Sequence, residues 1–228
     1  MATSPYKDTE YVLDFLGRLI WGKSATVLDV GAGFGRWGFL CRCHMGNGES
    51  LTANPSQNLK IDAIEAFSPN ISLIYDCVYN ATYKGDVVAV LPALGDYDII
   101  ICSHMIEHLS KEQALALIDR MRQKARMALI LCLPWGHWPQ DAIGGNDFEV
   151  HKSSWLPSDF SDGKALIKMF GRAPLSSGVV IFPISAEARW NVKNMKNPFR
   201  RLAFRWTPSV LWKFYRLLMN RGDIKEQE

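Results

Sequence analysis

Thr26-Val27-Leu28-Asp29-Val30-Gly31-Ala32-Gly33-Phe34-Gly35-Arg36-Trp37-Gly38 decides the fold of this 228-residue chain. Val27, Leu28 and Val30 form a short apolar run suited to a buried parallel strand. Gly31, Gly33 and Gly35 follow at once. Lacking a β-carbon, they let the chain turn sharply and let a ligand approach the main chain, where free N–H groups at the start of the coming helix act as donors. Strand, glycine turn and helix in that order make a nucleotide-binding construction.

The spacing Gly33-x-Gly35-x-x-Gly38 formally satisfies the dinucleotide fingerprint as well. Asp29 separates the two readings. Two residues before the first glycine, its carboxylate would repel a pyrophosphate and attract a ligand carrying an ammonium and a sulfonium. Taken alone, the glycine pattern reads equally well as a tight structural turn, so the remaining motifs carry weight. Acid-x-Gly-x-Gly-x-Gly resembles motif I of the class I S-adenosylmethionine-dependent methyltransferases.

Composition fits one domain with an appendage: 48% of residues are hydrophobic, enough for a substantial core. Cys41, Cys43, Cys77, Cys102 and Cys132 form no Cys-x-x-Cys pair, which favours free thiols in a reducing compartment over disulfides or zinc. Residues Met1 to Asp8 lack a cationic segment followed by an apolar core, and no stretch approaches bilayer-spanning length. A cytoplasmic protein is expected. Its net charge of +3 hides a division: Arg189 to Arg221 holds nine Lys/Arg and no Asp/Glu, leaving 17 basic against 23 acidic residues elsewhere. The chain therefore divides into a domain over 1–188 and a basic, aromatic extension over 189–228.

Along the chain, Tyr11, Val12, Phe15, Leu16, Leu19 and Ile20 recur at helical spacing and predict an amphipathic helix over 8–22. Arg36 to His44 forms the first crossover helix, and the Gly/Asn/Ser/Pro-rich stretch 45–60 is a long loop. Residues 61–67 read as the second strand. Glu65 near its end can accept hydrogen bonds from both hydroxyls of a ribose. A helix is expected over 70–78 and a third strand over 82–88. Tyr97 to Cys102 is the plainest strand of the chain, and Ser110 and Gln113 have capping-box spacing for the helix after it. His104 and His108 therefore occupy a loop at the carboxyl end of the fourth strand, the edge at which open parallel sheets bind ligands. Residues 128–133 make the fifth strand. The polar, aromatic segment 135–155 is expected to fold over substrate, 155–160 to be helical, and 165–170 and 179–184 to form the closing hairpin.

The resemblance covers residues 26 to 136 through the glycine turn, Glu65, Gly85-Asp86, Tyr97-Asp98, Ile106-Glu107-His108-Leu109 and Pro134-Trp135-Gly136. Pro134-x-Gly136, Gln140, Gly145-Asn146, Glu149-x-His151 and Trp155 also look like a subgroup of bacterial, archaeal and phage methyltransferases whose substrates are mostly unassigned. His104 stands where such relatives often carry Asp. The resemblance implies an α/β, Rossmann-like, doubly wound, seven-stranded sheet, mostly parallel with an antiparallel last strand, followed here by a basic aromatic helical tail. It implies S-adenosyl-L-methionine as cofactor and S-adenosyl-L-homocysteine as product, held by Asp29, Gly31, Ala32, Gly33, Gly35, Glu65, Asp86, Val87 and Ser103. Asp86 would face the adenine amino group and the Val87 N–H a ring nitrogen. Tyr6 and Tyr11 are candidates for a substrate wall.

Absent motifs narrow the chemistry. No Asn/Asp-Pro-Pro-aromatic run follows the fourth strand, which argues against amino-methylation of adenine or glutamine, and no Pro-Cys pair supplies a thiol nucleophile for cytosine. No acidic cluster suggests Mg²⁺, and no metal is expected. Methyl transfer to oxygen or nitrogen of a small polar, sugar or lipid-linked glycan acceptor remains. A hydroxyl acceptor must lose a proton, and an imidazole ionising near neutral pH can take it, so His108, His104 and His151 are the candidate bases. Each has a structural alternative: His108 beside Glu107 can equally hold the loop.

In the tail, Phe199, Trp206, Trp212, Phe214 and Tyr215 are threaded among the cations. Docking or homodimerisation ranks first for it, peripheral contact with the inner membrane surface next, and nucleic acid last. The rival functions are an RNA methyltransferase anchored by this tail and a non-catalytic S-adenosylmethionine-binding module.

Overall fold

The structure, a computed structural model, describes residues 6–45, 58–74, 76–161, 163–172 and 175–195. In chain order its elements are α1 (Tyr6–Ile20), β1 (Ala25–Val30), α2 (Arg36–Met45), β2 (Leu59–Glu65), α3 (Ser68–Ile71), β3 (Ala81–Lys84), α4 (Val87–Val90), β4 (Tyr97–Ser103), α5 (Lys111–Lys124), β5 (Ala125–Pro134), β6 (Leu166–Arg172), β7 (Leu175–Pro183) and α6 (Ala186–Met195). The strands form one seven-stranded sheet of order β3-β2-β1-β4-β5-β7-β6. β1 pairs in parallel with both β2 and β4, and only β7 runs antiparallel to its neighbours β5 and β6. The order reverses between β1 and β4, which makes their carboxyl ends the topological switch point. This is the expected Rossmann-like sheet.

Two apolar layers hold it. On one face α1, α2 and α6 cover Val27, Ile61, Ile99, Ile101 and Ile130. On the other, α5 buries Ala114, Leu117, Ile118 and Met121 against Leu28, Ile100 and Leu129. The Ser110–Gln113 capping box starts α5 as its spacing indicated. At the amino-terminal edge of the sheet, Asp98 accepts hydrogen bonds from the Thr26 N–H (2.8 Å) and from Arg126 Nε (2.9 Å), while Arg126 Nη2 donates to Thr26 Oγ1 (2.9 Å). One clamp thus fastens β1, β4 and β5.

Several expectations give way to the structure. Residues 70–78 do not form a helix; only the single turn α3 does. Arg42, buried on α2, holds the chain after α3 in turns by donating to the carbonyls of Val78 (3.1 Å) and Leu59 (2.5 Å) and to Asn80 Oδ1 (2.7 Å). The third strand stops at Lys84, because Asp86 caps α4 by accepting from the Val88 N–H at 2.7 Å and so turns Val87 and Val88 helical. Tyr11 is not a substrate wall: it lies in the core with its ring 5.7 Å from that of Phe170. The corresponding expectation for Tyr6 falls outside the described side chains. The residue-188 boundary falls inside α6, which buries Ala188, Val192 and Met195. Residues 46–57 of the long loop, and the tail from 196 onward, lie outside the described residues. Among those described, no helix is long and apolar enough to cross a membrane.

Gly38 marks the tightest approach of α2 to the chain after β2. A β-carbon there would stand 2.4 Å from Tyr79 Cε1 and 2.7 Å from Val78 Cγ1. Tyr79 cannot swing away freely, since its hydroxyl accepts from the Gly38 N–H (3.3 Å) and donates to Asp29 (2.5 Å). Gly38→Ala is therefore expected to cost about 1–3 kcal/mol of stability, read as a lowered urea midpoint at unchanged slope.

Candidate functional site

A cleft of about 210 Å³ opens at the carboxyl ends of β1, β2, β3 and β4, against the switch point. Gly31, Gly33, Glu65, Asp86 and Val87 line one side, and His104, Met105 and His108 line the other. Glu65 is the organising acid. Its Oε2 accepts from the Gly33 N–H (2.7 Å), and its Oε1 accepts from the Phe67 N–H (2.8 Å). The last residue of β2 thus fixes the glycine turn after β1. Gly33 adopts φ +57° with open space where a side chain would project, whereas a β-carbon on Gly31 would meet Met105 Cγ at 2.8 Å. The glycines are needed for two reasons, backbone conformation and close approach.

Four residues expected to touch the cofactor do not line this cleft: Asp29, Ala32, Gly35 and Ser103. Asp29 is 1% exposed and turns inward beneath the glycine turn, accepting from the Tyr79 hydroxyl. Burial pushes its pKa up to about 7, against the opposing hydrogen bonds from Tyr79 and Gly38. Ser103 points its hydroxyl into the protein, beside the Cys132 thiol on β5. Gly35 packs beside Ile74 and Tyr79.

The three histidines do come together. His104 sits at φ 51°, a backbone conformation that costs a residue with a side chain of order 1 kcal/mol or more and that clusters at functional sites. Its ring lies between two buried acids: Nδ1 is 3.4 Å from Glu107 Oε1 and Nε2 is 3.9 Å from Asp8 Oδ2. Burial would raise the pKa of Glu107, but His104 and His108 together hold it below the usual range. Asp8 is shifted upward by burial, partly offset by the Ser177 hydroxyl. His108 directs Nε2 to the His104 carbonyl (3.0 Å), and His151 directs Nδ1 to the Trp138 carbonyl (2.5 Å). Their rings meet edge to face with centroids 4.9 Å apart. Burial lowers the pKa of His151, against the opposing hydrogen bond to Trp138, and so favours its neutral form. His151 stands behind His108 and does not itself line the cleft.

Segment 135–155 packs against this group. The Glu107 carbonyl accepts from the N–H groups of Lys152 (2.8 Å) and Ser153 (3.0 Å), tying the segment to the turn after β4. Gln140 Nε2 donates to the Glu149 carbonyl (2.7 Å), and Asn146 caps the short turn 147–149 by accepting from the Phe148 N–H. Asn146, Phe148, Glu149 and Lys152 thereby reach the cleft. Trp135, Trp37 and Trp155 are buried and pack rather than face a ligand. Sequence reasoning missed Asp8, which sits in the first turn of α1 with no motif around it. It also missed Asn70, and it read Gln113 only as a cap, though both line the cleft. A larger groove of about 740 Å³ between α5, β7 and α6 contains none of these residues and neither a histidine nor a cysteine.

No protein-family model matches the chain, and no curated protein matches it in sequence. Solved structures do match in fold. Magnesium protoporphyrin IX methyltransferase from Synechocystis PCC 6803, with bound SAH, superposes at TM-score 0.52 and 16% identity over 81% of this chain and 90% of that one. TehB from Haemophilus influenzae gives TM-score 0.54 at 11% identity, covering 81% of this chain and 64% of that one. DhpI in its SAM-HEP complex gives 0.51 at 16% identity over 78% and 88% of the two chains. The chain has the class I S-adenosylmethionine-dependent methyltransferase fold.

Asp29 carries a pH signature. Folding raises its pKa from 3.8 to about 7, so between those values the native chain holds a proton that the unfolded chain releases. Its stabilising contribution is complete below pH 3.8 and is lost as the pH rises through 7. Three pH units at 1.36 kcal/mol each set an upper scale of about 4 kcal/mol. Relative to wild type, Asp29→Asn is expected to gain stability steadily from pH 4 to 8 in urea titrations, because it lacks this dependence.

Proposed function

We propose that the chain is an S-adenosylmethionine-dependent methyltransferase acting on an oxygen or nitrogen of a small polar, sugar or lipid-linked glycan acceptor. The observation that carries the reading is Glu65, a nearly buried acid at the carboxyl end of β2 that binds the glycine turn and lines the cleft at the switch point. Its carboxylate stands where ribose hydroxyls can exchange for the backbone donors. Gly33 leaves room for the main chain to meet the cofactor, and Asp86 and Val87 line the far end for the adenine. The solved structures of like fold that hold SAM or SAH support this reading.

The acceptor is assigned to the end of the cleft bounded by His104, His108 and Glu149. Displacement at a sulfonium methyl has a neutral leaving group, so alignment supplies much of the acceleration and the protein's remaining task is the acceptor's proton. His104 takes that role in this reading. Glu107 faces its Nδ1, as the orienting acid does in a carboxylate–imidazole pair, while its Nε2 is buried on the side of Asp8. Asp8 stands near that nitrogen to stabilise the imidazolium formed.

Calorimetric titration tests the cofactor site first. S-adenosylmethionine and S-adenosylhomocysteine are expected to bind with micromolar affinity, and Glu65→Ala to weaken both by at least about tenfold, the loss of one strong charge-assisted interaction. A folded chain that binds neither would overturn the reading. With labelled cofactor and an acceptor recovered from cell extract, His104→Ala is expected to lower turnover about 10²–10⁴-fold while cofactor affinity stays within about threefold.

A further inference from the structure

Glu107 presents a problem that the proton-transfer reading does not resolve. It is 1% exposed, and its Oε2 has no hydrogen-bond partner among the described residues. A buried carboxylate oxygen left without a donor is costly enough that native proteins pair it with a cation or a donor. His104 faces its Oε1 at 3.4 Å, and the two other imidazoles beside it direct their hydrogens elsewhere. A carbonyl only accepts, so the ring nitrogen facing it carries the hydrogen. His151 therefore donates from Nδ1 to Trp138 and turns a bare Nε2 lone pair inward. His108 faces a carbonyl with each ring nitrogen, Nε2 toward His104 (3.0 Å) and Nδ1 toward Val150 (3.4 Å). A neutral imidazole has one hydrogen for the two, and the shorter contact takes it, which leaves the Nδ1 lone pair for a cation. One donor atom from each of Glu107, His108 and His151 lies within 4.8 Å of the other two.

We propose that Glu107, His108 and His151 form a divalent-cation site at the wall of the cleft. The arrangement has both marks of a ligand set. Its members each bring one ligand atom within 4.8 Å of the other two, and each histidine is held by a hydrogen bond from its other ring nitrogen to a backbone carbonyl, the outer support that fixes metal-ligating imidazoles. Two imidazoles and one carboxylate suit first-row ions such as Mn²⁺, Fe²⁺, Co²⁺ or Zn²⁺ rather than Ca²⁺ or Mg²⁺. Such ions bind nitrogen and oxygen at about 2.0–2.2 Å, so the three arms close on an ion by small side-chain movements. Three protein ligands leave open coordination positions.

This inference rests on the methyltransferase reading only for its chemical use. A cation beside the acceptor end of the cleft binds a hydroxyl oxygen and lowers its pKa, which eases proton loss to the neighbouring His104. Segment 135–155 carries His151 back to the turn after β4 and is fastened there through the Glu107 carbonyl, which holds the third ligand in place.

The test is direct metal binding by the full chain, stripped with chelator and without S-adenosylmethionine, so that its outcome is separate from that of the cofactor titration. Co²⁺ is titrated with visible absorption as the readout, and Zn²⁺ by calorimetry. One ion per chain is expected, with d–d bands and no thiolate charge-transfer band. Glu107→Gln and His151→Ala should each weaken binding by at least about tenfold, and Cys43→Ser should leave it unchanged. Circular dichroism and melting confirm that the variants are folded, and His151→Ala, in a surface segment, serves should Glu107→Gln fail to fold. No stoichiometric ion on a folded wild-type chain would overturn the proposal. So would a thiolate signature, or affinity unaltered in the folded variants.

Discussion

A carboxylate in a protein interior must be compensated, and the position of Glu107 imposes that requirement where the chemistry is to happen. Its side chain faces His104 and draws in His108 and His151, while its backbone carbonyl receives two N–H groups from the covering segment. One residue after β4 therefore joins the switch point, the histidines and the cover. Glu65 does the equivalent on the other side of the cleft, where its two oxygens bind the glycine turn and the chain leaving β2. Backbone N–H groups restrain both acids, Glu65 through its carboxylate by Gly33 and Phe67, and Glu107 through its carbonyl by Lys152 and Ser153.

The sheet was legible in the sequence because its signals are local and repeated. Apolar runs such as Tyr97 to Cys102, a glycine turn and a capping box each report their own element, and their order leaves few topologies. Elements set by distant partners were not legible. The helix expected over 70–78 yields to Arg42, which lies more than thirty positions earlier and claims the carbonyl of Val78 and the side chain of Asn80. Nothing within the segment announces that.

The site shows the same division. Glu65 and the two glycines Gly31 and Gly33 follow from spacing along single strands and turns, Asp86 and Val87 follow from the family resemblance, and all five line the cleft. Asp29 carries the motif yet lies beneath the cleft, since a residue on a strand buried on both faces faces protein whichever way it points. Asp8 reaches His104 only because α1 is laid across the sheet by its apolar stripe. The proximity of His151 to His108 depends on a chain reversal closed by the Gly136–Trp155 bridge, 19 positions apart in sequence.

The clamp of Asp98, Thr26 and Arg126 lies at the opposite end of the strands from every group that lines the cleft. Register is thus anchored at one rim of the sheet and chemistry is conducted at the other, with the apolar interior as a buffer between them. A change at the working rim leaves the anchors in place. Such a scaffold can exchange its reactive side chains while keeping its shape, which is the condition under which chains only 16% identical still superpose over about four fifths of their length.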